Sequence, residues 1–185
     1  MGKLIYLMNV SLDGFVETPD HGLDWTIVDE ELHTWFNERE RETAACLYGR
    51  GLYETMSAYW PTVASDPTAT QVELEFGRIW NAKPKIVFSQ TLDTVSGNSR
   101  LATGDISDEL TKIRAEFDGD LEVGGPTLAS AFIERGLVDE FQLVVHPVVI
   151  GAGTPFFPAG CRLKLTLRET RRFKSGATYL GYAAA

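Results

Sequence analysis

The chain has 185 residues, of which 44% are hydrophobic and 23% are charged, a composition typical of a globular domain and not of a disordered or coiled-coil chain. Its net charge of −9 argues against nucleic acid as a partner, because a nucleic-acid binder needs a basic surface. No apolar run approaches the ~20 residues that span a bilayer, and no secretory signal is evident. We therefore expect a cytoplasmic protein without membrane contact, in which Cys46 and Cys161 stay reduced.

The first half of the chain predicts alternating strands and helices. A continuous apolar run over residues 3–10 is typical of a strand covered on both faces. Residues 11–28, rich in glycine, proline and aspartate, predict a loop. A helix is expected over 29–43, with its charged run at 38–42 in solvent. The remaining elements of this half are a strand at 44–48, a helix from 51 through 56, a loop at 61–67 and a helix at 71–80.

The second half continues the alternation and ends in a hairpin. A strand at 85–88 precedes a helix that Asp105 can cap, with apolar side chains at helical spacing. Then come a strand at 121–123, a helix opened by 124–126, a β-rich stretch over 138–150, and strands over 162–172 and 177–183 around a turn at 174–176. This order predicts one α/β domain over residues 1–185, with a mainly parallel central sheet, an antiparallel C-terminal hairpin and helices on both faces.

Three predicted strands end in glycine or small polar residues, at 49–51, 89–90 and 124–127. Ligands of open α/β sheets bind at the carboxyl ends of strands, where helix N-termini offer free N–H groups to phosphate. In the last segment, Gly125 lets a backbone approach closely and Thr127 adds a hydroxyl donor. The Gly-Gly-Pro segment alone also fits a plain strand-to-helix turn, and Arg50 alone also fits a solvated arginine. No complete dinucleotide fingerprint is present, so both interpretations stay open.

The histidines and the loop tryptophans give weaker signals. His21, His33 and His146 have no metal-ligand spacing, so no metal site is expected. Trp25 and Trp60 lie in predicted loops, where a role in a substrate pocket is as well supported as simple surface packing.

Several segments carry a family resemblance. Residues 123–140 (VGGPTLASAFIERGLVDE) and 146–157 (HPVVIGAGTPFF) resemble the reductase domain of the bifunctional riboflavin-biosynthesis deaminase–reductase. Residues 9–14 (NVSLDG) resemble that family's first strand and loop, and 47–54 (LYGRGLYE) is similar to the glycine–arginine segment of dihydrofolate reductases. The likeness covers nearly the whole chain. It implies a stand-alone member of the dihydrofolate-reductase-like superfamily, with the three-layer α/β fold of that superfamily.

The resemblance implies NADPH as the hydride donor and a homodimer as the assembly. It places Arg50 at the adenosine-side phosphates, where a forked guanidinium would favour NADPH over NADH. The implied cofactor-binding positions are Asn9, Val10, Gly49, Arg50, Gly51, Ser89, Gln90, Gly124, Gly125, Pro126, Thr127 and Leu128. Three positions depart from the family pattern, because Gly51 replaces a basic residue, Leu52 replaces a threonine and Gln90 replaces a frequent arginine.

The reacting centre is less constrained by the sequence. Asp13 follows the first strand directly and is therefore the candidate catalytic residue, although an Asp-Gly turn explains it equally well. Dihydrofolate reductases carry an acidic residue on the helix after the first loop, and the resemblance places Leu32 at that position, which argues against folate reduction. Asp139 and Glu140, between a helix and a strand, are expected to be structural.

The leading expectation is an NADPH-dependent reductase that acts on the 5-amino-6-ribosylamino-uracil phosphate of riboflavin biosynthesis or on a related heterocyclic or ribosylamino substrate. A pteridine or folate reductase, or a reductase of another small molecule on the same fold, is the alternative enzyme. A non-catalytic nucleotide-binding or dimeric interaction protein is the alternative from a different class.

Overall fold

Ten strands, five α-helices and one short 3₁₀ helix (Val63–Ser65) lie along residues 2–185, which the computed structural model describes. In chain order the strands are β1 (Leu4–Val10), β2 (Phe15–Glu17), β3 (Ala45–Gly49), β4 (Lys85–Phe88), β5 (Ser99–Leu101), β6 (Leu121–Gly124), β7 (Glu140–Val145), β8 (Thr154–Pro155), β9 (Leu165–Arg172) and β10 (Thr178–Ala184). The helices are α1 (Glu30–Glu42), α2 (Arg50–Tyr59), α3 (Gln71–Ala82), α4 (Ile106–Glu116) and α5 (Pro126–Glu134).

Eight of these strands form one sheet in the order β5-β4-β3-β6-β1-β7-β10-β9. The pairs from β5 to β7 are all parallel, whereas β10 is antiparallel to both β7 and β9. The prediction of a mainly parallel sheet with an antiparallel C-terminal hairpin is therefore confirmed. β2 and β8 form a separate two-stranded sheet.

The two faces of the sheet are covered by different helices because successive strand residues point in opposite directions. On β1, Leu4 and Tyr6 join the core formed with α4 and α5, whereas Leu7 packs with Leu32 and Trp35 of α1. A third cluster, formed by side chains of α2, α3, β3 and β4, extends the face that α1 covers. The predicted helices on both faces are present. Among residues 2–185, no helix combines the length and the apolar character needed to cross a membrane.

Local signals explain where three of the helices begin. The side chains of Asp29, Thr70 and Asp105 accept hydrogen bonds from backbone N–H groups in the first turns of α1, α3 and α4. These are N-cap contacts, and each satisfies a donor that the helix itself leaves unpaired. In α3, Glu73 completes a capping box by accepting a bond from the backbone of Thr70.

Some expectations about short strands and buried charge are wrong. The expected loop over 11–28 contains β2, and the expected β-rich stretch over 138–150 is a strand only as far as Val145. β5 is an edge strand of three half-buried residues with no apolar pattern to reveal it. These elements are short and are held by partners distant in the chain, so local periodicity does not specify them.

Glu40, expected in solvent with the rest of its charged run, is buried. It accepts a hydrogen bond from the thiol of Cys46 at 3.1 Å, and burial raises the pKa of its carboxyl above the usual range. The ammonium of Lys83, also buried, bonds the backbone carbonyls of Glu40 and Thr43. The end of α1 is therefore attached to the sheet by a buried polar cluster that the sequence pattern does not reveal.

Close packing at Gly77 predicts a stability effect opposite to helix propensity. A Cβ at Gly77, inside α3, would lie 2.3 Å from Cγ1 of the buried Val63. We expect Gly77→Ala to destabilise the protein by about 1–3 kcal/mol through overpacking. The matched change Gly51→Ala, in the open first turn of α2, should leave stability unchanged or raise it by up to about 1 kcal/mol. Urea unfolding of both variants measures this, and equal stabilities of the two would contradict the packing argument.

Candidate functional site

The predicted strand ends meet at one edge of the sheet. β3 pairs in parallel with β4, with Gly49 opposite Phe88, and with β6, with Tyr48 opposite Gly124. β1 lies on the other side of β6 and runs in the same direction. The segments that follow β4, β3, β6 and β1 therefore lie side by side at about 4.8 Å per strand. The structure brings the three predicted glycine or polar segments and the end of β1 to this carboxyl edge.

Two helices begin at this edge without a side-chain cap. α2 starts directly after β3 with Gly49 as its N-cap, and α5 starts directly after β6 with Gly125 as its N-cap. Neither glycine can accept a bond from the first-turn N–H groups, in contrast to the caps of α1, α3 and α4. Free N–H groups and the positive end of the helix dipole together favour a bound anion. The arrangement therefore places two uncapped helix N-termini, the kind of group that favours an anion, after neighbouring strands.

The Gly-Gly turn has structural reasons of its own. Gly125 has a φ of +90°, a region that side chains other than glycine rarely adopt. A Cβ at Gly124 would lie 2.5 Å from Cδ2 of Leu52, which packs over the turn from α2. Pro126 follows at the first helical position, where its missing N–H costs nothing. The plain-turn interpretation therefore explains the glycines, while the uncapped N–H groups remain available to a ligand.

Arg50 links the ends of β3 and β4. Its guanidinium donates hydrogen bonds to Oε1 of Glu54 and to Oγ1 of Thr91, both at 2.9 Å, and its side chain is 53% exposed. Ser89 shapes the neighbouring turn, because its Oγ accepts from the backbone N–H groups of Thr91 and Leu92 at 3.1 and 3.0 Å. Thr91 is a site residue that the sequence did not suggest, since a lone loop threonine carries no signal.

The other predicted cofactor positions lie around these groups. Gly51, Gln90 and Thr127 are exposed at the same edge, and Leu128 is buried, with its Cβ 3.4 Å from where a Cβ of Gly49 would be. The carbonyl of Val10 is already bonded, because it accepts from the backbone N–H of His146 at 2.8 Å.

His146 is the main residue that sequence reasoning missed. Its ring is fully buried, and its two nitrogens contact Oδ1 of Asn9 at 2.8 Å and the backbone N–H of Ile27 at 3.2 Å. The ring of Trp25 meets it edge-on, with centroids 5.6 Å apart. Burial lowers the pKa of His146, which favours the neutral ring. Asn9 and His146 are 137 residues apart, so no local motif could have joined them.

The two tryptophans proposed for a substrate pocket have different surroundings. Trp25 contacts His146 beside the end of β1. Trp60 packs on Phe76 at 4.4 Å, edge-on to His33 at 6.2 Å, and its indole N–H donates to the sulfur of Met56. The contacts of Trp60 are thus those of a residue in the helix layer, whereas Trp25 lies next to the strand ends.

Asp13 is held in place by its own neighbours. Its carboxylate accepts from the hydroxyl of Ser11 at 2.7 Å and from the backbone N–H groups of Ile150 and Gly151 at 3.2 and 2.8 Å. The Ser11 hydroxyl, followed by these N–H groups, lowers the pKa of Asp13. The charged form is therefore favoured at neutral pH, and it ties the loop after β1 to the loop after β7. A catalytic role for Asp13 stays a prediction.

The acidic residues near the start of α1 are engaged in structural contacts. Asp29 caps the helix, and Glu31 accepts from the backbone N–H of Lys174 at 3.1 Å. Leu32 is fully buried in the core, so it presents no polar group. Asp139 likewise accepts from the backbone N–H of Leu4 at 2.7 Å, as a structural role requires.

A separate cavity of about 200 Å³ lies at the opposite, amino edge of the sheet, where Lys3, Glu122 and Glu140 are among its lining residues. Lys3 and Glu140 pair with each other at 2.6 Å. Among residues 2–185 no helix begins there, so this edge lacks the uncapped helix N-termini found at the carboxyl edge.

The sheet order and the antiparallel C-terminal hairpin belong to an α/β domain with the dihydrofolate-reductase-like fold. Residues 2–179 match the model of the RibD C-terminal domain, and the chain belongs to that family. It is 33% identical over 182 residues to the uncharacterised protein YyaP of Bacillus subtilis (strain 168), covering 97% of this chain and 94% of YyaP.

Solved structures share this fold at lower identity. A candidate riboflavin biosynthesis protein from Shewanella sp. PV-4 superposes with a TM-score of 0.77 at 20% identity, with 99% of each chain covered. RibD of Acinetobacter baumannii gives a TM-score of 0.70 at 15% identity, and this chain covers 58% of its length. A deaminase/5-amino-6-(5-phosphoribosylamino)uracil reductase from Thermotoga maritima gives 0.66 at 15% identity, with 57% of its length covered.

The contacts of Asp13 predict a pH-dependent contribution to stability. A carboxyl with a lowered pKa in the folded state stabilises the fold above its unfolded pKa, near 3.8, and loses that contribution as the pH falls through the folded pKa. We expect Asp13→Asn to lower the melting temperature at pH 7, and we expect the difference from the wild type to shrink below about pH 4. Thermal unfolding across pH measures this. Asp93→Asn, at an exposed loop position, is the control, and a difference that stayed constant at low pH would contradict the argument.

Proposed function

We propose that the protein is a cytoplasmic NADPH-dependent reductase that acts on a small heterocyclic or ribosylamino substrate. The observation that carries the proposal is the pair of uncapped helix N-termini at Gly49 and Gly125, with the half-exposed guanidinium of Arg50 beside them. Free N–H groups and a guanidinium are the donors that suit the phosphates of a dinucleotide.

The residues present fit NADPH along the carboxyl edge. The start of α5 at 125–128 would hold the pyrophosphate, and the start of α2 would hold the adenosine side. Arg50 and Thr91, already joined at 2.9 Å, would take the 2′-phosphate, since both can donate there. When bound, the cofactor supplies a hydride from its nicotinamide ring. The protein's contribution would be to hold that ring beside Asn9 and Val10, at the end of β1, and next to the acceptor atom.

The substrate proposed is 5-amino-6-(5-phosphoribosylamino)uracil, which the name of the Thermotoga maritima relative gives as that enzyme's substrate. Family membership supports this choice. A folate or pteridine reductase is the less favoured alternative, because the buried Leu32 stands where an acidic residue would assist that reaction.

The proton required by the reduction would come from a bound water. The lowered pKa of Asp13, caused first by the Ser11 hydroxyl, keeps its carboxylate a hydrogen-bond acceptor at neutral pH. Asp13 would then hold the loop at Ile150 and Gly151 in place. Its carboxylate would also orient the water by accepting a hydrogen bond from it.

A non-catalytic nucleotide-binding protein is the alternative from another class. Leu52 covers the Gly-Gly turn with an apolar side chain, and Gln90 is exposed and uncharged, so two positions that commonly contact phosphate contribute little charge here. This alternative shares the cofactor site and differs only in lacking turnover.

Turnover with the proposed substrate is the deciding experiment. We expect the protein to oxidise NADPH when 5-amino-6-(5-phosphoribosylamino)uracil is added, measured by the fall in nicotinamide absorbance and by mass analysis of the ribityl product. Dihydrofolate is the comparison substrate and should give much slower oxidation. NADPH binding without turnover of any substrate tried would favour the non-catalytic alternative.

The variant Arg50→Ala tests the proposed cofactor site independently of the identity of the substrate. Loss of a charge-assisted contact should weaken NADPH binding about tenfold or more, while NADH, which lacks the 2′-phosphate, should bind as before. Arg135→Ala is the matched control, because Arg135 lies at the far end of α5 and bonds the carbonyl of Ala131. Equal losses of affinity for NADPH and NADH would show that Arg50 does not contact the 2′-phosphate.

We also propose that the protein is a homodimer joined through β7, β9 and β10. On the sheet face opposite α1, Leu143, Leu165 and Tyr182 are only half-buried, and Leu167, paired with Tyr182, is 51% exposed. A second copy laid on this face would remove apolar area from water. The charged residues along β9 favour contact through the sheet face over pairing at the strand edge.

Sedimentation equilibrium measures the assembly. We expect twice the mass of one chain for the wild type and a shift toward one chain for Leu167→Arg, because an arginine would be buried against apolar side chains. Tyr59→Arg, at an exposed aromatic on α2, is the control and should remain dimeric. A wild-type protein that sediments as a single chain would exclude the dimer.

A further inference from the structure

The contacts around His146 form a unit that the cofactor site does not use. Leu7 and Val144 belong to the core cluster beneath α1. Asn9 lies two residues after Leu7 on β1, and His146 lies two residues after Val144, just past the end of β7. Both side chains therefore point to the sheet face that α1 covers. They lie at the carboxyl edge, next to the strand that carries the Gly-Gly turn. This is where an acceptor ring would lie against a nicotinamide placed at the end of β1.

The hydrogen bonds fix the orientation of both side chains. The ring of His146 accepts the Ile27 backbone N–H at Nδ1, and the neutral ring therefore carries its proton on Nε2. Nε2–H then donates to Oδ1 of Asn9 at 2.8 Å. Because the amide is planar, its NH₂ group is turned to the opposite side. Among the contacts of residues 2–185 this NH₂ group has no acceptor, and Asn9 is only half-buried.

A second donor in the same unit lacks an acceptor. The indole Nε1 of Trp25, whose ring meets His146 edge-on, is buried and makes no hydrogen bond within the described part of the chain. A buried donor left unpaired is costly, and a ligand oxygen that reached it would remove that cost. Within residues 2–185 the unit therefore holds two N–H donors without acceptors, an arrangement suited to a ligand with carbonyl oxygens.

We propose that His146 is a positioning residue that turns the Asn9 amide so that its NH₂ group donates to a ring carbonyl of the substrate, which makes the site selective for carbonyl-bearing heterocycles. This rests on the proposed function, and it assigns the Asn9 side chain to the substrate, leaving the neighbouring backbone to the cofactor. Without His146, the Asn9 amide is free to rotate and present its oxygen, which repels a carbonyl.

A pair of pyrimidines tests the selectivity. The probes are 5,6-diaminouracil, which has two ring carbonyls, and 4,5-diaminopyrimidine, which has none, titrated by calorimetry with and without NADP⁺. We expect His146→Leu and Asn9→Leu each to weaken binding of 5,6-diaminouracil about fivefold to tenfold, the effect of one neutral hydrogen bond. In His146→Leu, which lies outside the proposed cofactor positions, binding of 4,5-diaminopyrimidine and of NADPH should stay within about twofold of the wild type on the same scale.

Two further variants separate positioning from folding. His146→Gln can donate to Asn9 and accept from Ile27, so it should restore wild-type binding of 5,6-diaminouracil. His21→Leu, which removes an exposed histidine paired with Glu17, should change nothing. The side-chain NH₂ resonances of Asn9, followed by ¹⁵N NMR, should shift when 5,6-diaminouracil is added to the wild type.

Each contrary outcome has a definite meaning. Equal weakening of the two pyrimidines, an unmoved Asn9 NH₂ resonance, or failure of the wild type to bind 5,6-diaminouracil would overturn the assignment of Asn9 and His146. A loss of NADPH affinity in Asn9→Leu would show that the amide contacts the cofactor, which would also overturn the assignment. Failure of the wild type to bind NADPH would instead overturn the proposed reductase. The titration without NADP⁺ measures pyrimidine binding independently of the cofactor, so the two failures can be told apart.

Discussion

The parallel pairing of β1 between β6 and β7 is the constraint on which the candidate site depends. The first strand of the chain is held by partners more than a hundred residues away, with Tyr6 opposite Val123 on one side and Val10 opposite Val145 on the other. This register puts the end of β1 beside the Gly-Gly turn and beside His146 at the same time. A shift of one residue would turn Asn9 to the other face of the sheet and separate it from His146.

The same edge illustrates how cap chemistry divides the helices into two kinds. Asp29, Thr70 and Asp105 satisfy the first turns of their own helices, and those helices have little to offer an anion. Gly49 and Gly125 leave their first turns unsatisfied, and their helices begin on adjacent strands. Because free helix N–H groups are otherwise a cost to stability, their coincidence at neighbouring strand ends is a stronger sign of phosphate binding than either glycine by itself.

Much of the fold follows from local sequence, whereas the details of the site do not. Apolar runs predicted the strands from β1 to β6 except for the short ones, and Asp105 predicted the start of α4. The strand-end segments at 49–51, 89–90 and 124–127 were also found, because glycine at the end of a strand has a local physical meaning. The contact of His146 with Asn9 depends on a strand pairing across 137 residues, and a single histidine has no spacing to reveal it. Glu40 was misplaced for a related reason, since its partners Cys46 and Lys83 lie on other elements.

Polar groups at the carboxyl edge of the sheet differ from the buried polar groups elsewhere in how they are hydrogen-bonded. Away from the strand ends, Glu40, Cys46, Lys83 and Lys85 satisfy one another or backbone carbonyls, and Lys85 also lies 4.1 Å from the centre of the Trp80 ring. Burial lowers the pKa of Lys85 and raises that of Glu40, so neither group is free to exchange partners without a large desolvation cost. Such a network fixes α1 and α3 against β3 and β4. At the carboxyl edge the opposite holds within residues 2–185, because the NH₂ of Asn9, the indole N–H of Trp25 and the first turns of α2 and α5 keep donors without acceptors. A rigid, internally satisfied layer beneath an edge of oriented donors is what a preorganised binding site requires, since the donors then need no rearrangement when an oxygen-rich ligand arrives.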